Sequence, residues 1–163
     1  EIKKIYNDVI LDKDEEGTLE LSFKSKGTAL EFVKITSKLS IIYREDRTRY
    51  SMQLLADIIK KLNEDRLITK EDLYNMKESE VIEIIENSKY KDIFNIWKNA
   101  KNVKVSKEKP KNVYFVHHGA KIRYIDPLVN KKRMSSISEE AKKEIDKNLL
   151  YDMNNYVYLD FKF

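Results

Sequence analysis

Only three glycines and two prolines interrupt a chain of 163 residues, so long stretches lack the residues that most often break a helix. That scarcity restricts the chain to helices joined by short polar turns, with little room for a glycine-rich β architecture. From Thr28 to Tyr43 the apolar residues are dense (Leu30, Phe32, Val33, Ile35, Leu39, Ile41, Ile42), as expected for a central helix buried on more than one side. After the charged turn Arg44-Glu45-Asp46-Arg47, a second helix presents Met52, Leu55, Ile58, Ile59 and Leu62 at three- and four-residue steps. The two helices are expected to pack together.

Around this pair the periodicity is shorter. Ile2, Ile5, Val9 and Ile10 sit at helical spacing up to the polar run Asp12 to Gly17, and Leu19, Leu21 and Phe23 then alternate with polar residues as in a half-buried strand. Thr69-Lys70-Glu71-Asp72 reads as a capped helix start, followed by Val81, Ile82, Ile84 and Ile85 and by Tyr90, Ile93, Phe94 and Trp97. The character changes at Asn99. Five lysines between Lys101 and Lys111 flank Pro110 as an exposed connector. Beyond it, Val113 to Val116 and Ile122 to Ile125 predict a hairpin turning at His118-Gly119, Ser136-Ile137-Ser138-Glu139 opens a helix to about Leu150, and Tyr156 to Phe161 is a final strand. The fold class is therefore mainly α with a small α+β C-terminal unit. A helical, bundle-like half occupies residues 1–100, a basic linker 101–111, and a small α+β unit with a short antiparallel sheet 112–163.

Composition narrows the function classes. With 41% hydrophobic and 37% charged residues the chain can bury a core and solvate the rest. A net charge of +4 is too small to argue for nucleic acid by itself. The absence of cysteine removes disulfides, thiolate nucleophiles and Cys-ligated zinc. No apolar run approaches the ~18–20 residues that cross a bilayer, and the start Glu1-Ile2-Lys3-Lys4 lacks a signal-peptide core. The expectation is a cytoplasmic protein with no membrane partner.

Four patterns are candidates for chemistry. Arg44, Arg47 and Arg49 interleave with Tyr43 and Tyr50, a combination able to hold a phosphate in bidentate hydrogen bonds and to stack on a base. The same residues also read as an exposed inter-helix turn with local ion pairs. His117 and His118 are adjacent on a predicted strand, so they point to opposite faces and do not share a metal. Asp14-Glu15-Glu16 lacks the alternating ligand spacing of a calcium loop and reads as a solvated turn. Arg123 and Asp126 are expected to form a structural ion pair. The glycines are too few and too scattered for a phosphate-cradling loop.

Two stretches carry a family resemblance. Ile122-Arg123-Tyr124-Ile125-Asp126-Pro127-Leu128-Val129, with Met134-Ser135-Ser136-Ile137-Ser138 and Tyr156-Val157-Tyr158, resembles the C-terminal associated domain of HD-superfamily phosphohydrolases, relatives of the dNTP triphosphohydrolases. Upstream, Gly17 to Phe23, the Phe32 to Tyr43 helix, Tyr50-Ser51-Met52-Gln53-Leu54-Leu55 and Leu67 to Ile85 are similar to the segment that follows the metal-binding core of such enzymes. The resemblance implies a parent in which an upstream core uses His and Asp ligands to bind a divalent metal (manganese, magnesium or similar) that activates water against a phosphoester.

No His-Asp dipeptide occurs in the chain, so it is expected to begin just after that core, to hold no cofactor of its own and to be inactive alone. In the family the helix matching 28–43 carries a nucleotide-facing arginine, where Ile35 stands here, and a Y-x-H string, where Tyr43-Arg44-Glu45 stands. Tyr43 carries over, and Arg44, Arg47 or Arg49 could substitute for the rest as a nucleotide contact. The partners so implied are the upstream HD core of the same chain and a second copy in a homo-oligomer, with an exposed apolar patch where the core would pack. Two other readings stay open: a self-contained basic module binding nucleic acid or an acidic protein, and an independent enzyme using His117 or His118.

Overall fold

A computed structural model describes residues 2–162. In chain order the first elements are α1 (Ile2–Asp8), β1 (Val9–Lys13), β2 (Leu19–Phe23), α2 (Lys26–Ile42) and α3 (Asp46–Glu64). The short helices α4 (Asp72–Asn75), α5 (Glu78–Glu86) and α6 (Lys91–Asn99) follow. The remainder is β3 (Lys104–Ser106), β4 (Phe115–Val116), β5 (Leu128–Val129), β6 (Lys132–Arg133), α7 (Met134–Ile137), α8 (Glu139–Leu149) and β7 (Tyr156–Tyr158). The protein is mainly α with a small sheet component, as the residue pattern predicts.

The chain forms two compact units that cut across the 1–100, 101–111 and 112–163 division read from the sequence. One takes the described residues of Glu1–Arg44 with Ala120–Asp152, and the other takes Glu45–Gly119 with Met153–Phe163 as far as described. The consecutive helices α2 and α3 fall in different units.

In the first unit, β1 and β2 pair antiparallel from Val9↔Phe23 to Lys13↔Leu19. Residues 9–10, expected to continue the first helix, instead belong to this hairpin, where β-branched Val9 and Ile10 are well suited. Its turn is built by Asp14, whose Oδ1 accepts from the backbone N–H of Glu16 (3.0 Å) and Thr18 (2.8 Å), with Gly17 at φ 88°. The acidic run is thus a turn. β2 then pairs in parallel with β5 (Ser22↔Leu128, Phe23↔Val129), and β5 turns tightly onto β6 through Asn130 and Lys131, both at positive φ (51° and 67°). Phe23, Ala29, Val33, Val129, Met134, Ala141 and Ile145 form the core against which α2 and α8 lie. Ser25 caps α2 and Ser138 caps α8, each accepting from the N–H three residues on.

In the second unit, Tyr50, Leu54, Ile58 and Leu62 descend α3 in four-residue steps and are fully buried with Ile68, Ile85, Phe94, Val116 and Val157. The sheet has the order β3-β7-β4, all antiparallel, with Val157 and Val116 side by side on its core face. The stretch read as a solvated connector therefore supplies an edge strand, Lys104–Ser106. The hairpin predicted over 113–125 does not form. Phe115 and Val116 pair instead with Tyr158 and Val157 of β7, and the chain leaves this unit after Gly119.

Candidate functional site

The four residues singled out by the sequence divide between the units, Tyr43 and Arg44 in the first, Arg47 and Arg49 in the second. Tyr43 and Arg47 are exposed, whereas Arg44 and Arg49 are each only 2% exposed.

Arg44 lies just beyond α2 and closes that helix onto the end of α8. Its Nε donates to the Ser40 carbonyl (3.0 Å), and Nη2 donates to the Asn148 carbonyl (2.7 Å) and to Asn148 Oδ1. The guanidinium also lies 5.5 Å from the Tyr151 ring centroid. Asn148, fully buried, returns a bond from Nδ2 to the Arg123 carbonyl at 3.1 Å, and Ser40 Oγ donates to the same carbonyl at 2.6 Å. Nη1 of Arg44 is buried without a hydrogen-bond partner.

Arg49 does comparable work in the second unit. Nη2 donates to Asp46 Oδ1 at 2.5 Å, one turn back on α3, and Nη1 donates to the His118 carbonyl. Its Nε, like the hydroxyl of neighbouring Tyr50, is buried without a partner. Burial pushes the Tyr50 hydroxyl well above its ordinary range; the Leu159 backbone opposes that shift without reaching hydrogen-bond geometry. The bonds that both arginines make thus go to backbone carbonyls and local side chains.

The histidines take different roles. His118 contributes its carbonyl to Arg49. His117 lies flat on Tyr156, ring centroids 3.9 Å apart and planes 13° off parallel, with Nε2 3.1 Å from Asn154 Oδ1. Among the described residues no group of three or more His, Cys, Asp or Glu side chains is placed to hold a metal. No described helix is long and apolar enough to cross a membrane.

On α2 the expected burial on several sides is not found. Only Thr28, Ala29, Val33 and Ser37 are buried, while Ile35 (38% exposed), Leu39 (45%) and Ile42 (39%) form a stripe at four- and three-residue steps, next to Tyr43 (66%). The R-Y-I-D-P stretch is architectural. Asp126 accepts from the Ser135 N–H (2.9 Å) and Oγ (2.5 Å), opening α7, in place of the ion pair expected with Arg123. Arg133 grips Glu20 through Nη1 and Nη2, and Nη2 lies 3.7 Å from Asp14 Oδ2.

Hydrogen bonding from Arg133 holds the Glu20 carboxyl below its ordinary range. A lowered pKa in the folded state means that the pair's contribution is complete above the ordinary glutamate pKa and fades as pH falls through the lowered value. NMR titration of Glu20 is expected to show its midpoint rising toward the ordinary range in Arg133→Ala. An unmoved midpoint refutes the coupling.

Asn148, and the placing of an exposed apolar face on α2, escaped sequence reasoning. A lone Asn within Lys-Asn-Leu-Leu carries no signal, and an apolar helix face reads as buried whether or not anything covers it. Comparison with known proteins finds no matching family model, no similar curated protein and no similar solved structure.

Proposed function

We propose that this chain is a non-catalytic accessory region of an HD-type, metal-dependent phosphohydrolase acting on nucleotides or other phosphoesters. It completes the fold of an upstream HD core and contributes to homo-oligomeric assembly. The observation that carries this reading is the uncovered stripe Ile35-Leu39-Ile42 beside Tyr43 on α2. A helix this apolar normally buries more than one side, and exposed apolar stripes of this kind mark surfaces that pack on something else. Ile35 and Tyr43 are also the positions that the family resemblance assigns to the nucleotide-facing side of the helix.

A second support is that distant parts of the resembling sequence assemble together. Leu19–Phe23, α2, Leu128–Val129 and Met134–Ile137 join one compact unit through parallel strand pairing and a shared core. In the parent, the upstream core would supply the metal and the attacking water, while this region would shape one wall of the site. Its own residues contribute the tyrosine and the apolar packing face.

The test is an assay of phosphate release from a nucleotide panel with manganese or magnesium. It compares this chain with the same chain preceded by its native upstream reading frame. Activity only in the longer protein is the expected result, and Leu39→Glu in that protein should reduce it at least about ten-fold by putting a charge into an apolar contact. Activity in this chain alone, or in neither, overturns the reading.

A further inference from the structure

The net charge of the whole chain, +4, is matched by the single stretch 101–119, where Lys101, Lys104, Lys107, Lys109 and Lys111 face one acid, Glu108. The remaining residues therefore sum to neutrality. The fold does not leave this stretch as a free tether. It supplies both outer strands, β3 and β4, of the sheet whose middle strand is Tyr156–Tyr158.

Alternation along those strands sorts the side chains. Val116 and Val157 are buried on one face, so Phe115, Tyr156 and Tyr158 belong to the other, with His117 next in register opposite Tyr156. The rings are already arranged as a platform. Phe115 meets Tyr156 edge to face at 5.4 Å, and His117 continues from Tyr156 in a parallel stack, held in orientation through Asn154. His117 is exposed although one face of its ring lies on Tyr156. Lysines border the same rings. Lys109 Nζ lies 5.4 Å from the Phe115 ring centroid, Lys107 Nζ reaches the Asn154 carbonyl at 3.3 Å, and Lys104 stands across from Tyr158, paired with Asp160.

We propose that this outer sheet face binds single-stranded nucleic acid, a base extending the Tyr156–His117 stack while the lysines of 101–111 meet the phosphates. Single strands fit because their bases are free to stack on an aromatic ring, and because a basic border tracks the backbone without reading sequence. A duplex offers the phosphates but not the unstacked base. An acidic protein would meet the lysines but leave the stack unused.

Fluorescence anisotropy of labelled oligothymidylate and oligouridylate, about 15 nucleotides long, tests this with the protein at about 50 mM salt and upward. Both single strands are expected to bind, with the matching duplex at least about ten-fold weaker. His117→Ala should weaken single-strand binding about ten-fold, and His117→Phe should restore most of it. Reversing Lys101, Lys109 and Lys111 to glutamate should abolish binding at moderate salt, and neutralising them to glutamine should flatten the salt dependence by a slope of about two. Circular dichroism confirms that each variant folds. Absence of binding at low salt, equal affinity for duplex, or indifference to His117→Ala in a folded protein would each overturn the proposal.

Discussion

Arg44→Ala is expected to destabilise the first unit by roughly 2–4 kcal/mol, because it removes charge-assisted bonds and leaves their buried acceptors without donors. Arg44 is 2% exposed, and its guanidinium is the shared donor to the Ser40 carbonyl and to two oxygens of Asn148. Without it, Asn148 Oδ1 and both carbonyls lose their donor at the junction of α2 with α8, and the truncated stem leaves a void. Lysine is a poor substitute, since one ammonium cannot reproduce the spread of the guanidinium fork. Urea unfolding with hydrogen exchange on α2 and α8 reads the result. Protection should fall first in those helices, while Arg47→Ala, at an exposed position, should stay within about 0.5 kcal/mol. A loss for Arg44→Ala no larger than that for Arg47→Ala would show that the junction does not depend on the guanidinium.

Ile58→Ala is expected to cost the second unit roughly 2–5 kcal/mol, the range for deleting a large aliphatic side chain from a well-packed core. Ile58 is fully buried at the centre of the Tyr50-Leu54-Ile58-Leu62 row. The row packs against helices and sheet alike, in one core with Ile85 and Phe94 of the helices and Val116 and Val157 of the strands. Little freedom is left to collapse around a cavity there. Met52→Ala on the same helix, at a position 64% exposed, should cost less than about 0.5 kcal/mol. The comparison is read by thermal or urea unfolding; equal losses would mean that α3 turns a different face inward.

That face is legible in the sequence only in part. The helix periods of α2 and α3, the strand Leu19–Phe23, a helix near Glu139–Leu149 and the strand beginning at Tyr156 follow from spacing, but the capping box expected from Ser136 does not form: Ser136 lies in α7 and Ser138 caps α8. On α3, however, Met52, Leu55 and Ile59 are as plausible a core as Tyr50 and Leu54. A wide apolar stripe satisfies the period with either edge inward, and only the neighbours decide.

The strand pairings are less legible for a different reason. Ser22 Oγ bonds the Leu128 carbonyl across 106 residues, and β3 finds its partner in β7, beyond both α7 and α8. Local pattern carries no information about such distant partners. Two-residue strands such as Phe115–Val116 are too short for an alternation to register at all. Of the candidate site, Tyr43, Arg44, Arg47 and Arg49 are legible as residue types, but their burial is not. The carbonyls that capture Arg44 and Arg49 include those of Asn148 and His118, whose backbone groups leave no trace in a sequence.

The alternation of the chain between the two units has a consequence for synthesis. Neither unit is a continuous segment, since Ala120–Asp152 must return to the first and the stretch from Met153 onward to the second. A nascent chain that has emerged as far as Gly119 holds α3 to α6 with β3 and β4 but lacks β7, the strand that joins those two edges. It also lacks the α8 partner of α2 and the β5 partner of β2. An open β1-β2 hairpin, two unpaired strand segments and an apolar helix face are then displayed at once, a state prone to association with other chains. Neither unit can close on residues up to Gly119 alone: the first waits for Ala120–Asp152 and the second for the segment from Met153 onward.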